Sequence, residues 1–242
     1  MQNPYKKHLY NFFHKSNYFI HISFRFENLI NKEFKNIGSK ESDFYSSNAL
    51  VIADWTGETD NGWDFPFHTD VFTTTDNENY KNEMDKMKSR QNLINFAQSF
   101  EAFQGFLKDV ITEKNEKITR IDLKYNNKIL QNLKEEGGKS LFDFSNSNNR
   151  NFNFEILFNM LVELRHSITH SNGIIEKNKI IKDSYSEVLF KLLFPDSDIE
   201  KNNIILAMTY KAFSKIMKTL NEFAFQIYKI FSVECKFNYV IN

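Results

Sequence analysis

Hydrophobic residues recur at intervals of three and four along most of the chain, and this spacing is typical of amphipathic helices. The apolar positions between residues 19 and 34 predict a first helix, which ends near Gly38. A long helix is predicted over residues 77–111, because this stretch carries a continuous apolar stripe wide enough for the centre of a bundle. A shorter helix is predicted over residues 123–136, with its end at the glycine pair that follows.

The second half of the chain shows the same periodicity with more interruptions. Residues 139–151 are rich in serine and asparagine and are predicted to form a surface connection. A helix is predicted over residues 154–171, and a small hairpin over residues 173–181. Two further helices are predicted over residues 183–193 and 198–231, on either side of a proline.

Residues 39–75 interrupt the helical pattern. A short strand is predicted over residues 48–55, and the remainder holds glycine and proline together with Trp63. We expect an ordered aromatic loop or a small β hairpin in this insert.

These elements together predict an all-α fold, a helical bundle with a small irregular or β insert after the first helix. The chain is predicted to be a single domain over residues 1–242. Within it, residues 1–75 supply the N-terminal helix and the aromatic insert, and residues 77–232 form the bundle.

Composition excludes several classes of protein. The 242 residues include 31 basic and 31 acidic side chains, so the chain lacks the positive charge with which some proteins coat nucleic acid nonspecifically. A single cysteine, Cys235, cannot form an internal disulfide or a zinc site made only of thiolates. No stretch approaches the ~18 apolar residues of a membrane helix and no secretory signal pattern is present, so we expect a cytoplasmic protein without a membrane partner.

The end of the helix predicted over residues 154–171 concentrates side chains that can perform chemistry, namely Arg165, His166 and His170. Only five arginines occur in a chain strongly biased to lysine, so an arginine here indicates a need for its planar guanidinium. At 100° per residue, His166 and His170 lie about 40° apart on a helix, whereas Arg165 lies about 140° from His170. The two histidines are therefore predicted to share a face that Arg165 does not share.

Arg165, the polar His166, three further residues and His170 together resemble the signature of HEPN domains, helical proteins found in prokaryotes and eukaryotes. The resemblance covers residues from about 77 to 232, and the first 75 residues match no HEPN feature. It implies a HEPN-type helical fold and metal-independent endoribonuclease activity, as in HEPN toxins and antiviral effectors. It also implies a homodimer in which the motifs of two protomers face each other in one composite cleft. An antitoxin protein is a further candidate partner.

RNA cleavage of this kind needs a base, an acid and a cation, because the 2′-hydroxyl attacks the neighbouring phosphate and leaves a 2′,3′-cyclic phosphate. Histidine, with a pKa of about 6.5, exchanges a proton near neutral pH, and arginine can hold two phosphate oxygens. We therefore expect His170 to act as acid or base and Arg165 to bind the phosphate of the RNA substrate. His166 is expected to orient the phosphate or to share the proton transfer. No cofactor and no metal is expected.

Three other residues are expected to support this site. Glu101 is expected to face the motif and to hold an arginine or histidine in place. Glu163 could pair locally with Arg165 or His166, and Asn172 belongs to the stop signal of the helix.

Three other interpretations are open. The chain could be a non-catalytic helical module that binds RNA or a protein partner. The arginine and the histidines could be structural, since cations are favourable near the negative end of a helix. Alternatively, His166 and His170 could be half of the metal site of a metal-dependent hydrolase, completed in space by His68 with Asp64 or Asp70.

Overall fold

The computed structural model describes residues 2–36, 49–52 and 73–240, and this part of the chain is mostly helical, which confirms the prediction of an all-α fold. No helix within these ranges is both long and apolar enough to cross a membrane. The helices are α1 (Pro4–Asn36), α2 (Asn77–Lys114), α3 (Asn126–Asn146), α4 (Phe154–His170), α5 (Lys177–Ile180), α6 (Ser184–Leu193) and α7 (Tyr210–Glu234). The strands are β1 (Ala49–Ile52), β2 (Thr73–Asp76), β3 (Ile174–Glu176), β4 (Asp198–Ile199) and β5 (Asn203–Ile205).

Two compact units make up the fold. One consists of Met1–Phe24 together with Ser89–Asn242, and the other is Arg25–Lys88. In the second unit, β1 pairs antiparallel with β2 at the place of the predicted insert. The remainder of that insert, including both tryptophans, lies outside the described residues.

The N-terminal part of α1 contributes to the core of the first unit, which the sequence pattern does not predict. Tyr5, Leu9 and Phe12 are buried in this core. Their spacing is helical, but the lysine, histidine and asparagine residues between them hide the apolar stripe. The predicted start of the first helix at residue 19 is therefore wrong, and α1 begins at Pro4, a residue type favoured at the first helical position.

The phenylalanines of α2 form the centre of the first unit, as the apolar stripe predicts. Phe96 and Phe100 are completely buried. The Phe100 ring lies 5.5 Å from the ring of Phe158 in α4, and the Phe96 ring lies 5.6 Å from that of Phe194. The Phe100–Phe158 contact packs α2 against α4, the helix that carries the Arg-His motif, and the Phe96–Phe194 contact packs α2 against the end of α6.

The helix predicted to end at the glycine pair does end there, and a second helical segment of α3 follows directly and continues to Asn146. The surface connection predicted over residues 139–151 is therefore wrong for its first half. Gly138 has φ 54° and ψ −145°, values outside the helical region, so a kink at this residue separates the two segments. Beyond the kink Leu141 and Phe144 are buried, and the Phe144 ring lies 5.2 Å from that of Phe223 in α7. Burial of these two side chains holds the second helical segment in place, although the polar residues around them are typical of a loop.

The predicted hairpin over residues 173–181 is also wrong, since β3 pairs antiparallel with the distant β5 and is followed directly by α5. The helix predicted over residues 198–231 starts too early, because α7 begins only at Tyr210. Ile204 is buried and Ile205 is exposed. This stretch thus alternates with the period of two that is typical of a strand, and the three-stranded sheet buries its inner face on the helices.

Gly105 lies in the interior of α2 and is expected to weaken that helix. A Cβ atom built on Gly105 would meet no atom within 4 Å, so neither packing nor a positive φ requires glycine there. Because glycine in a helix costs about 0.5–1 kcal/mol relative to alanine, Gly105→Ala is expected to raise the free energy of unfolding by that amount. Urea unfolding followed by circular dichroism measures the change.

Gly138→Ala is the matched control for this prediction. A Cβ on Gly138 would also meet no atom within 4 Å, but Gly138 has φ 54°. The same substitution is therefore expected to destabilise the protein there by about 1–3 kcal/mol. A loss of stability in Gly105→Ala would contradict the assignment of an open, regular helix position.

Candidate functional site

The Arg-His motif occupies the last turns of α4, and local interactions set where that helix begins and ends. The Asn153 side chain caps its start by accepting a hydrogen bond from the backbone N–H of Ile156 at 3.0 Å. At the other end, Asn172 and Gly173 have φ values of 51° and 80°, so the chain turns out of the helix there. The N–H of Gly173 donates to the carbonyl oxygen of Ser167 at 3.1 Å. This confirms the helix predicted over residues 154–171 and fixes the motif at its carboxyl end.

His166 and His170 form an adjacent pair of imidazoles on the exposed face of α4. Their ring centroids are 4.6 Å apart and their planes are inclined by 45°. Both residues are exposed, and within the described part of the chain neither ring has a hydrogen-bond or ion-pair partner. Both imidazoles are therefore available to a ligand that approaches the end of this helix.

Arg165 projects toward α2 and lies beside Glu101. Its Nη2 is 3.6 Å from Oε2 of Glu101, which is too long for a hydrogen bond but close enough for an ion pair. The Glu101 side chain is 66% exposed, so water screens this pair and its contribution to stability is small. The Nε of Arg165 is buried and has no hydrogen-bond partner among the described residues. The guanidinium is thus held loosely, with hydrogen-bonding capacity left over.

Within this chain, the Arg165 side chain is directed to Glu101 of α2 and is not joined to either histidine. In the described part of the chain, no hydrogen bond or ion pair joins Arg165 to His166 or to His170. This follows the helical geometry, because Arg165 and His170 are separated by about 140° around α4.

Glu163 and Asn172 differ in what they contribute. Glu163 is half-buried and forms no ion pair with Arg165 or His166 among the described residues. Asn172 is exposed and contributes through its backbone, whose left-handed conformation ends the helix. Of the three residues expected to support the motif, only Glu101 places a charged group next to it.

A groove between α1 and α2 was not predicted from the sequence. It has a volume of about 900 Å³ and is lined by Glu101 together with basic and aromatic side chains, among them Lys15, Tyr18 and Lys108. The sequence shows these residue types, but their grouping depends on how α1 packs on α2. Polar residues at helical spacing could have indicated this face of α1. They lie in the first half of that helix, which the sequence pattern did not predict as helical.

A metal site is the alternative interpretation of His166 and His170. Within residues 2–36, 49–52 and 73–240, no group of three histidine, cysteine, aspartate or glutamate residues is arranged to hold a metal ion. The predicted alternative that adds His68 with Asp64 or Asp70 lies outside the described residues.

Comparison with protein-family models, with curated proteins and with solved structures gives no match for this chain.

Proposed function

We propose that the protein is a metal-independent endoribonuclease of HEPN type, in which Arg165, His166 and His170 act on the scissile phosphate of RNA. The observation that carries the proposal is the pair of exposed imidazoles, His166 and His170, whose centroids lie 4.6 Å apart. Two exposed imidazoles at this distance, neither of which has a partner among the residues that the structure describes, can act as the acid and the base of one reaction.

Each step of the reaction has a group to perform it. A neutral imidazole removes the proton from the 2′-hydroxyl, and the resulting oxygen attacks phosphorus. The 5′-oxygen of the next nucleotide leaves and takes a proton from the second, protonated imidazole. The products are a 2′,3′-cyclic phosphate and a 5′-hydroxyl, and no water is consumed in this step. Arg165 would stabilise the charge of the phosphorane through two N–H groups.

A second copy of the chain would complete the site. In one protomer, Arg165 lies beside Glu101 on the α2 side of α4, and the two histidines face solvent. If the carboxyl ends of two α4 helices met across a two-fold axis, the arginine of each could approach the histidines of the other. A toxin or phage-defence effector in the cytoplasm, restrained by an antitoxin protein, is the biological role that this activity suits.

The Arg165–Glu101 ion pair favours a second candidate function. A guanidinium already paired with a carboxylate of its own chain is typical of a structural arginine, as in a non-catalytic module that binds RNA or a protein partner. Such a module would bind RNA without cutting it.

RNA cleavage in the presence of a chelator tests the proposal. The purified protein is incubated with end-labelled single-stranded RNA and excess EDTA, and the product ends are analysed by mass. We expect fragments that end in a 2′,3′-cyclic phosphate. The matched control substrate carries 2′-deoxyribose at the cleavage site and should remain intact, because it lacks the attacking hydroxyl.

Dependence on protein concentration tests the composite site in the same assay. If two protomers form the site, the activity per protein chain should rise with concentration until the dimer is saturated. Cleavage that needs a divalent metal, or cleavage of the 2′-deoxy substrate, would contradict the proposed chemistry.

A further inference from the structure

A groove of about 900 Å³ in the first unit runs between α1 and α2, which lie antiparallel. At one end, the Asn95 side chain donates to the hydroxyl of Ser23 at 2.7 Å. At the other end, Nε2 of the His8 ring lies 3.0 Å from Oε2 of Glu113. The groove extends from residue 98 to residue 109 along α2. At 1.5 Å per residue this is about 16 Å, which matches about four or five stacked nucleotides at one phosphate per 3.4 Å.

The charges in the groove leave an excess of positive charge. Its acidic residue Asp109 is paired with Arg120, and Glu101 is paired with Arg165. Lys15 and Lys108 also line the groove, and neither forms an ion pair within the described residues. A ligand in the groove therefore meets two uncompensated ammonium groups, although the chain as a whole is neutral.

An exposed aromatic ring lies at the end of the groove that is nearest to Glu101. Tyr18 lines the groove and is 62% exposed, with its ring 5.6 Å from that of Phe19. An exposed aromatic side chain beside cations is suited to stacking on an unpaired base. An acidic peptide would use the lysines but would leave this ring without a partner.

Gly105 keeps the floor of the groove open. It lies in the middle of α2, it lines the groove, and a Cβ atom there would meet nothing within 4 Å. Glycine destabilises a helix interior, and the fold gives no reason for it at this position. A glycine in such a place lets a ligand approach the helix backbone closely.

From these features we infer that the α1–α2 groove, defined by Lys15, Tyr18, Glu101, Gly105 and Lys108, binds single-stranded RNA. Glu101 belongs both to the groove and to the ion pair with Arg165, so a bound strand reaches the guanidinium at that end. A phosphate there competes with Glu101 for Arg165 and frees it for the substrate. Delivery of RNA to the α4 site rests on the proposed function, whereas binding in the groove does not.

Binding of a fluorescent single-stranded RNA to the His170→Ala protein tests the inference without cleavage. The affinity is measured by anisotropy at several salt concentrations. Lys15→Glu combined with Lys108→Glu is expected to raise the Kd by about tenfold or more and to lower the magnitude of the salt slope by about 1.4, because each single-strand phosphate contact contributes about 0.7. Gly105→Leu is expected to raise the Kd comparably without changing the slope, because leucine fills the groove but removes no charge.

Lys211→Glu combined with Lys218→Glu is the matched control, since it makes the same charge change at exposed positions of α7. It is expected to alter the Kd by less than about threefold, because salt screens charges outside the contact region. Equal losses in the two double variants, or unchanged binding in Gly105→Leu, would overturn the inference. The inference would also be overturned if a groove variant kept its affinity for RNA and instead altered self-association, as measured by sedimentation. The groove would then bind a second copy of the chain.

The same groove substitutions are also made in a chain that retains His170, and RNA cleavage by these variants separates this inference from the proposed function. If the wild type cuts RNA and the groove variants cut it with an unchanged KM, the groove is not the substrate path although the nuclease assignment stands. If groove-dependent binding occurs and nothing cuts RNA, the nuclease assignment fails and RNA binding in the groove stands.

Discussion

Replacement of His170 by alanine is expected to slow RNA cleavage by about 10²- to 10⁴-fold, the range in which a positioned acid or base contributes to catalysis. The His170 ring is exposed and has no hydrogen-bond partner within the described residues, so its removal should leave the fold intact. The loss should therefore appear in kcat, whereas the affinity for RNA should change little. Single-turnover cleavage of end-labelled RNA and circular dichroism of the same sample measure both effects.

His21→Ala is the matched control, because His21 is an exposed histidine on α1 outside the motif. This variant should cleave at the rate of the wild type. If His170→Ala kept full activity, the cleavage would arise elsewhere in the chain or from a contaminating nuclease, and the assignment of the site would be wrong.

Phe100→Ala is expected to lower the free energy of unfolding by about 3–5 kcal/mol, as is typical when a buried phenylalanine is truncated. The Phe100 side chain is 0% exposed, and its ring contacts those of Phe96, Phe103 and Phe158. The contact with Phe158 joins α2 to α4, the helix that carries the motif. The destabilised variant should therefore also lose activity at that motif. Urea unfolding followed by far-ultraviolet circular dichroism measures the shift in midpoint.

Phe142→Ala provides the comparison for this effect. Phe142 lies on α3 and is 66% exposed, so its truncation removes little buried area and should change stability by no more than about 0.5 kcal/mol. Similar losses from Phe100→Ala and Phe142→Ala would contradict the placement of Phe100 at the centre of the core.

Periodicity predicted the helices whose apolar stripes are continuous. The helices that become α2 and α4 were predicted with ends close to those observed, because each has a long and regular apolar stripe. The strand at Ile204 was not predicted, because residues 204–208 form a continuous apolar run in the sequence and their alternation of buried and exposed side chains is evident only in the structure. The long helix that follows extended the helical assignment over them.

The candidate site divides in the same way. The shared face of His166 and His170 follows from their spacing of four residues, and their rings lie 4.6 Å apart. The position of Arg165 does not follow from spacing, because its partner, Glu101, is on another helix. The groove depends on the packing of α1 on α2, and hydrophobic periodicity did not predict the first half of α1.

By itself, the sequence determined the helical class of the chain, the end of α4 and the adjacency of the two histidines, because these depend on interactions between residues a few positions apart. Only the tertiary structure decided that β3 pairs with β5, that Arg165 lies beside Glu101 and that cationic and aromatic side chains of α1 and α2 form one groove. Those features join residues far apart in the chain. Side-chain burial in the shared core fixes them, and no local pattern encodes which surfaces will meet.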